Sequence, residues 1–576
     1  MTASNDSETT HLLRYKEGIK VSPGEKHTLR IIKNYIASMT FAVVFVILLI
    51  ISLMAPSTTN LRIDSMQESS IKQMTHSMLP SALWGVVSKP FPTGAFWTNL
   101  VVENGDGAVN VIPYGVKCLD TGIHISYGPT RRSVSNKWIR DTFDTDLQVS
   151  STELYQSRSV SSHDELSVTM TFVTASGAYD ALLVKGSPFV TVSFRGCTPL
   201  LQAQNMHFTH FESHALPGDT KRKYYIVTLG NYQRWLLYTS FEAPLEWQRG
   251  EERVTASSRV TGVIRVAFLP LLDDPSALAV LLQYASCYPT GASVLVSHPK
   301  DSVSHVTYKY KTEGTGNLLM LALPHHVDLL GSSIRNSAVS RAAQRALRHM
   351  WTMKGRAVAV VGKEWVLQYG TLEEAQWVYA LEGRVISTDR LNTIAASLQT
   401  DVDTTPPSAL DPYTFGKEAA RMAMLALIAD NLGIADARKT ALSKLEIALT
   451  PWLAGTNPDL LVYESTWGGV VPSRGLQDRL ADYGSGWYND HHFHYGYFVF
   501  VGAALAKLDK PYFEAHRSLL DALVGDICNS DKTSSSYPFA RHKDWFDGHS
   551  WASGLFQEAN GKSQESSSEV SVRRIM

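Results

Sequence analysis

One stretch limits the fold of this chain before any other. Residues 35–55, YIASMTFAVVFVILLIISLMA, carry no charged side chain. In hydrocarbon a backbone must satisfy its own N–H and C=O groups, so an apolar run of about twenty residues crosses as a helix. Arg14, Lys16, Lys20, Lys26, Arg30 and Lys33 precede the run, and the next basic residue is Arg62. That asymmetry places the N-terminus in the cytosol and everything after the run outside. The expectation is a single-pass type II membrane protein whose bulk is extracellular or luminal. A cleaved signal peptide would begin nearer Met1, have a shorter apolar core and end in small residues. A buried core helix would show a polar stripe, and none interrupts this run.

Downstream the hydrophobic period changes. Segments such as LSVTMTFVT, FVTVSF and RWLLYTS alternate apolar with polar residues and are broken by Gly, Pro, Asn and Asp. Many short strands at this spacing predict a β-sandwich over residues 81–289. Residues 290–399 mix strand-like VSHVTYKYK and AVAVVGKEWVLQ with SAVSRAAQRALRHM, which also fits a helix, and read as a small α/β domain. The Pro/Thr-rich TDVDTTPPSA, residues 400–409, reads as a linker. Beyond it Asp411-Pro412 is an N-cap and first-turn pair, Met422, Leu425, Ala429 and Leu432 form one stripe, and Gly433 suits the C-terminal end. A second helix carries Leu442, Leu445 and Leu449 on one face. Two such helices make an αα-hairpin, and stacked hairpins would make a toroid. Residues 1–34 read as a disordered cytosolic tail, and 56–80 as a polar tether.

Composition narrows the function. The chain has 576 residues, of which 44% are hydrophobic and 19% charged, with a formal net charge of −1. That near-neutral balance offers no basic surface for nucleic acid. Thirteen Trp and 24 Tyr supply flat faces that stack on sugar rings or fill cores. Cys118, Cys197, Cys287 and Cys528 show no C-x-x-C spacing, which argues against a thiolate zinc site. A disulfide among the first three is open, with no pairing indicated.

Two stretches concentrate carboxylates, histidines, aromatics and glycines: residues 486–508 and 537–569. Asp490 precedes a helical run, so it reads either as an N-cap or as a catalytic acid kept protonated by burial among aromatics. His491, His492 and His494 do not share a helix face as an i, i+4 pair would, which favours hydrogen bonding to sugar hydroxyls or support over metal ligation. Glu565 and Glu569 share a face if their segment is helical, as a functional pair or as an exposed acidic face. Glycoside hydrolysis requires one protonated and one ionised carboxyl, with aromatic platforms and polar partners for the sugar. Asp544, Asp547, His549 and Trp551 offer both kinds of partner.

These residues resemble glycoside hydrolase family 81. The resemblance rests on NDHHFHYGY (residues 489–497), DWFDGHSWASG (544–554) and QESSSE (564–569). It is supported upstream by PFPTGAFWTNLV (90–101), LPHH (323–326) and VYESTWGG (462–469), and it spans roughly residues 85–569. It implies a multidomain α+β fold: an N-terminal β-sandwich, a small α/β domain and a C-terminal (α/α)6 barrel, here over residues 400–576. It implies endo-hydrolysis of β-1,3-glucan, laminarin-like, by an inverting two-carboxylate mechanism in cell-wall glucan remodelling or degradation. Asp490 is then the general acid, Glu565 the general base and Glu569 a second essential carboxylate. Tyr488, His492, His494, Asp544, Asp547, His549 and Trp551 are the expected substrate-binding residues, with no cofactor and no metal. Glu464 departs from the Asp expected there. After Glu569 the chain reads VSVRRIM and stops, and residues 410–576 hold roughly five or six helices where six hairpins need about twelve. The expectation is therefore an incomplete barrel, and the alternative an inactive, membrane-anchored glucan-binding protein.

Overall fold

The computed structural model describes residues 71–564, apart from 136–137, 205–206, 251, 271–274, 301, 332–333, 335, 371–385 and 560. The uncharged run at 35–55 and both Glu565 and Glu569 lie outside the described residues. Among the described residues no helix is long and apolar enough to cross a membrane.

Alternation produces strands where it is read. In Ser167–Thr174 the side chains of Val168, Met170 and Phe172 are buried on one face, while the other face runs from buried Ser167 and Thr169 to exposed Val173. That strand belongs to an eight-stranded antiparallel sheet running from Phe208–Leu216 at one edge to Tyr155–His163 at the other. A seven-stranded sheet runs from Leu245–Gln248 to Val109–Asn110. Ile125 and Val149 of the second join Phe172, Val192 and Ile264 of the first in one buried cluster, so the sheets form a sandwich. Each such side chain contributes roughly 1.5–3 kcal/mol by leaving water. Cys118, Cys197 and Cys287 are buried free thiols, so the disulfide left open by the sequence is not formed. All three fill space as small hydrophobes.

Cys287–Lys300, Val303–Gly314 and Glu364–Gly370 form a three-stranded sheet, beside a pair made by Leu319–Ala322 and Val358–Val361. SAVSRAAQRALRHM resolves into a helix over Ala338–Ala346. Phe546, from the far C-terminal stretch, completes the core of this region beside Tyr308 and Trp365.

The helical region opens with Pro412–Asn431. Asp411 accepts a hydrogen bond from Thr414 N at 2.8 Å, and Gly433 takes the left-handed conformation beyond the helix end. Ala435–Leu453, His491–Leu508 and Arg517–Cys528 pack with it around Met422, Leu445, Phe498 and Leu505. The predicted linker begins inside a helix, Thr388–Val402, whose buried Leu398 and Val402 join the same core. Gln73–Met74, inside the segment read as tether, pairs in parallel with Tyr463–Glu464.

Candidate active site

Asp490 sits at the end of a loop with unusual backbone. Asp482, Tyr483, Tyr488 and Asp490 all have φ between 48° and 68°, where a Cβ is strained. Each such residue costs of order 1–3 kcal/mol, and persists only when its surroundings hold it. Glycines provide the holding. A Cβ on Gly554 would lie 2.3 Å from the Tyr488 carbonyl carbon, and one on Gly486 would lie 2.4 Å from Gly475 Cα. The carboxylate of Asp490 does not cap the helix that starts at His491, so the capping reading fails. Its backbone does the anchoring instead. The carbonyl accepts from Phe493 N (2.8 Å) and His494 N (3.0 Å).

A ladder of short contacts runs from Asp490 to the last described residues. Asp490 N donates to Ala552 O (2.8 Å), and Ala552 N donates to Ser563 O (2.8 Å). Asn489 Oδ1 accepts from Gly554 N (2.7 Å), and Ser553 Oγ accepts from Ser563 N (3.0 Å). The motifs at 489–497 and 544–554, read separately in the sequence, are therefore laced to each other and to Ser563. Ser563 lies two residues before Glu565 along the chain.

The histidines have structural partners. His491 is fully buried, with Nδ1 2.6 Å from Asp526 and Nε2 2.7 Å from Ser485 O. Arg541 holds the other Asp526 oxygen at 3.0 Å and reaches Gly468 O at 2.5 Å. Burial works against the Asp526 anion, but Arg541 and His491 outweigh it and keep its pKa below the usual range. His492 stacks near His542, with ring centroids 4.7 Å apart. His494 Nδ1 meets buried Asp482 at 2.8 Å. Tyr488, expected against substrate, is fully buried, and its hydroxyl donates to Glu464 at 2.9 Å. Glu464 also accepts from the backbone N–H groups of His76 and Trp467, each at 2.9 Å, and of Thr466. The longer side chain there is a saturated buried acceptor that ties the N-terminal segment to the Asp490 loop. Among the described residues no group of three or more His, Cys, Asp or Glu could hold a metal ion.

The Asp544 region departs most from expectation. Asp544 and Asp547 are engaged by a buried lysine, while Asp544 also lines a neighbouring cleft. Lys185, from the sandwich, places its Nζ 2.5 Å from Asp544 and 2.6 Å from Asp547, and the three side chains are 0, 1 and 2% exposed. Trp551 Nε1 donates to the same Asp544 oxygen at 2.8 Å. Lys354 lies 3.7 Å from Asp547 and 2.5 Å from His549 Nε2. Burial opposes the charges, yet Lys185 and then Lys354 hold the Asp547 carboxyl well below its ordinary pKa. Burial and the Lys354 cation depress the His549 pKa, which keeps its ring neutral. His325 of LPHH faces Phe546 O at 3.2 Å, which accounts for that motif as packing against this turn. A cleft of about 500 Å³ opens beside the cluster, lined by Asp544 together with Trp97, Glu165, Lys532, Phe539 and Trp545. Asp490 does not line it.

Sequence reading missed Lys185, Lys354, Asp526 and Arg541. Each is an isolated charge in its own segment, with no periodic or motif signal beyond the bare presence of Arg541 beside DWFDG. Their pairing exists only in three dimensions.

Comparison with known proteins gives the same frame. Sequence models of the glycosyl hydrolase family 81 N-terminal and C-terminal domains match residues 76–378 and 385–574. A glucan endo-1,3-beta-D-glucosidase of Glycine max is 33% identical over 84% of this chain and 70% of its own length. A primary septum glucan endo-1,3-beta-D-glucosidase of Schizosaccharomyces pombe is 29% identical over 70% of this chain, but over only 40% of its own length. The solved glycoside hydrolase family 81 structure from Clostridium thermocellum superposes with a TM-score of 0.69 at 22% identity, covering 88% of this chain and 69% of that one. With both domain models matched across most of its length, the chain belongs to glycosyl hydrolase family 81.

Proposed function

We propose that this chain is an endo-β-1,3-glucanase that acts by inversion, with Asp490 as general acid and Glu565 as general base. The observation that carries the reading is the ladder from Asp490 through Ala552 to Ser563. It fixes the Asp490 backbone against the segment that continues into Glu565, as a two-carboxylate mechanism requires. Asp490 would give its proton to the leaving glycosidic oxygen while Glu565 takes one from the attacking water. Glu569 is a second carboxylate serving the same centre. The named activity of the soybean and fission yeast relatives supports the substrate class.

The buried pairings recast the other expected residues. Tyr488, His494, Asp544 and Asp547 act as supports, and His492, His549 and Trp551 lie between support and substrate. The helices after residue 400 belong to an (α/α)6 arrangement, following a sandwich domain at 81–289 and a small α/β domain at 290–399. The uncharged run at 35–55 anchors the chain with its catalytic part outside the cytosol, where it remodels or degrades wall glucan.

The test is laminarin hydrolysis by the purified chain, with the product anomer read by NMR at early time. An α-anomer with internal cleavage supports the reading. A β-anomer would refute inversion, and laminarin binding without hydrolysis would identify a glucan-binding protein instead.

A further inference from the structure

Lys562 is buried, and no carboxylate of the described residues pairs with it. Its Nζ donates to Thr93 O (3.2 Å), Ser553 O (3.1 Å) and Gly554 O (2.5 Å). An ammonium has three N–H groups and no acceptor, so three converging carbonyls match it completely. Those carbonyls come from two distant segments, the PFPTG turn and the WASG strip. Lys562 itself brings the third, because its neighbour Ser563 bonds Ala552 and Ser553. Without the cation, three carbonyl dipoles would point at one another across a dry space.

We propose that Lys562 is a positioning residue for the hydrolytic centre: its caged ammonium sets the separation between the Asp490 loop and the segment leading to Glu565. The role rests on the glucanase reading for its kinetic consequence, while the clamp itself stands on the geometry. Burial lowers the Lys562 ammonium to about 7, and Glu558, the one titratable neighbour among the described residues that bears on it, opposes the fall. Below neutrality the clamp is charged and complete. Above it the amine keeps two N–H groups and turns a lone pair toward a carbonyl. The unfolded chain holds this proton up to a pKa of about 10.4, so the Lys562 contribution to global stability does not fall as pH rises between the two values. A loss of turnover just above neutrality, with the unfolding midpoint unchanged, therefore reports the site and not unfolding.

The experiment compares the full chain with Lys562→Met and Lys562→Arg. Hydrogen exchange is followed on peptides spanning 489–494 and 552–564, and kcat and KM on laminarin are followed across neutrality. Lys562→Met should lose protection in those peptides and keep it in Pro412–Asn431. Its kcat should fall roughly a hundredfold with KM little changed, as for a misplacement of about an ångström. Lys562→Arg, whose guanidinium stays charged, should retain protection and lose the alkaline limb seen in the parent. Parental protection in Lys562→Met, or the same alkaline limb in all three proteins, would overturn the proposal. A parent chain that shows the clamp by exchange but does not cut laminarin would sink the glucanase reading and leave the clamp standing.

Discussion

Replacing Lys185 with Met should unfold the junction between the sandwich and the C-terminal stretch, and acid should partly repair it. Lys185 Nζ lies within 2.6 Å of two carboxylates whose side chains are almost wholly buried. At an effective dielectric of about 20, each contact is worth about 6 kcal/mol gross. Desolvation and repulsion between the two carboxylates cancel much of that. Removing one member of a buried pair typically costs 3–5 kcal/mol, and here two anions are orphaned, so we expect about 5 kcal/mol at neutral pH. Lys354 remains 3.7 Å from Asp547 but is a third exposed, which screens it. In the parent, the Asp547 pKa is held below its unfolded value, so its contribution is present above pH about 4 and lost as pH falls through the folded value. In Lys185→Met burial dominates, the folded pKa rises above the unfolded one, and the sign reverses. Urea unfolding followed by Trp fluorescence should therefore show the variant gaining stability between pH 7 and pH 5 while the parent does not. Lys185→Met/Asp544→Asn/Asp547→Asn should recover most of the loss at neutral pH. A single variant within about 1 kcal/mol of the parent, or one with no acid recovery, would show that the cluster is solvated and the carboxylates open to sugar.

Other outcomes follow from the same geometry. Asp490→Asn should lose most activity on laminarin and much less on an aryl glucoside oligomer whose leaving group needs no proton; equal losses on both would remove Asp490 as the acid. Asp526→Asn should cost about 3–5 kcal/mol, since it leaves Arg541 and His491 facing a neutral amide in the interior; an unfolding curve matching the parent would contradict the buried network. Glu464→Asp should shorten the reach to His76 N and Tyr488 Oη and cost about 1–3 kcal/mol, read by urea unfolding. In the native chain a thiol reagent should titrate Cys528 alone, and all four cysteines once unfolded, because burial pushes the Cys118 thiol up to about 12 and Cys197 and Cys287 are also buried.

What the sequence discloses depends on the range of the interaction that sets each feature. Strand alternation at Ser167–Thr174 and the Asp411-Pro412 cap are local, and both are legible. The Pro/Thr linker is less so, because tertiary burial of Val402 extends a helix into a segment whose propensity opposes it. Asp490 stands out by its company, yet the loop before it is packed against Gly554, 66 residues beyond Tyr488, and its left-handed backbone could not be read from its neighbours. Asp544, Asp547 and Trp551 look like a sugar site because carboxylates and aromatics serve sugars. They also serve a buried lysine, and the approach of Lys185 from the sandwich carries no signal in the local sequence.

The parallel pairing of Gln73–Met74 with Tyr463–Glu464 joins residues some 390 positions apart, as the His76–Glu464 bond at a separation of 388 shows. On a ribosome adding about 5–20 residues per second, the N-terminal strand waits roughly 20–80 s for its partner to be made. During that interval the sandwich can close on its own hairpins, but the first strand has nothing to pair with and its N–H and C=O groups stay open to any passing edge. Synthesis order therefore leaves residues 71–78, the first of the described fold to emerge, unsecured until most of the chain has been made, and a chaperone that shields them over that interval would raise yield.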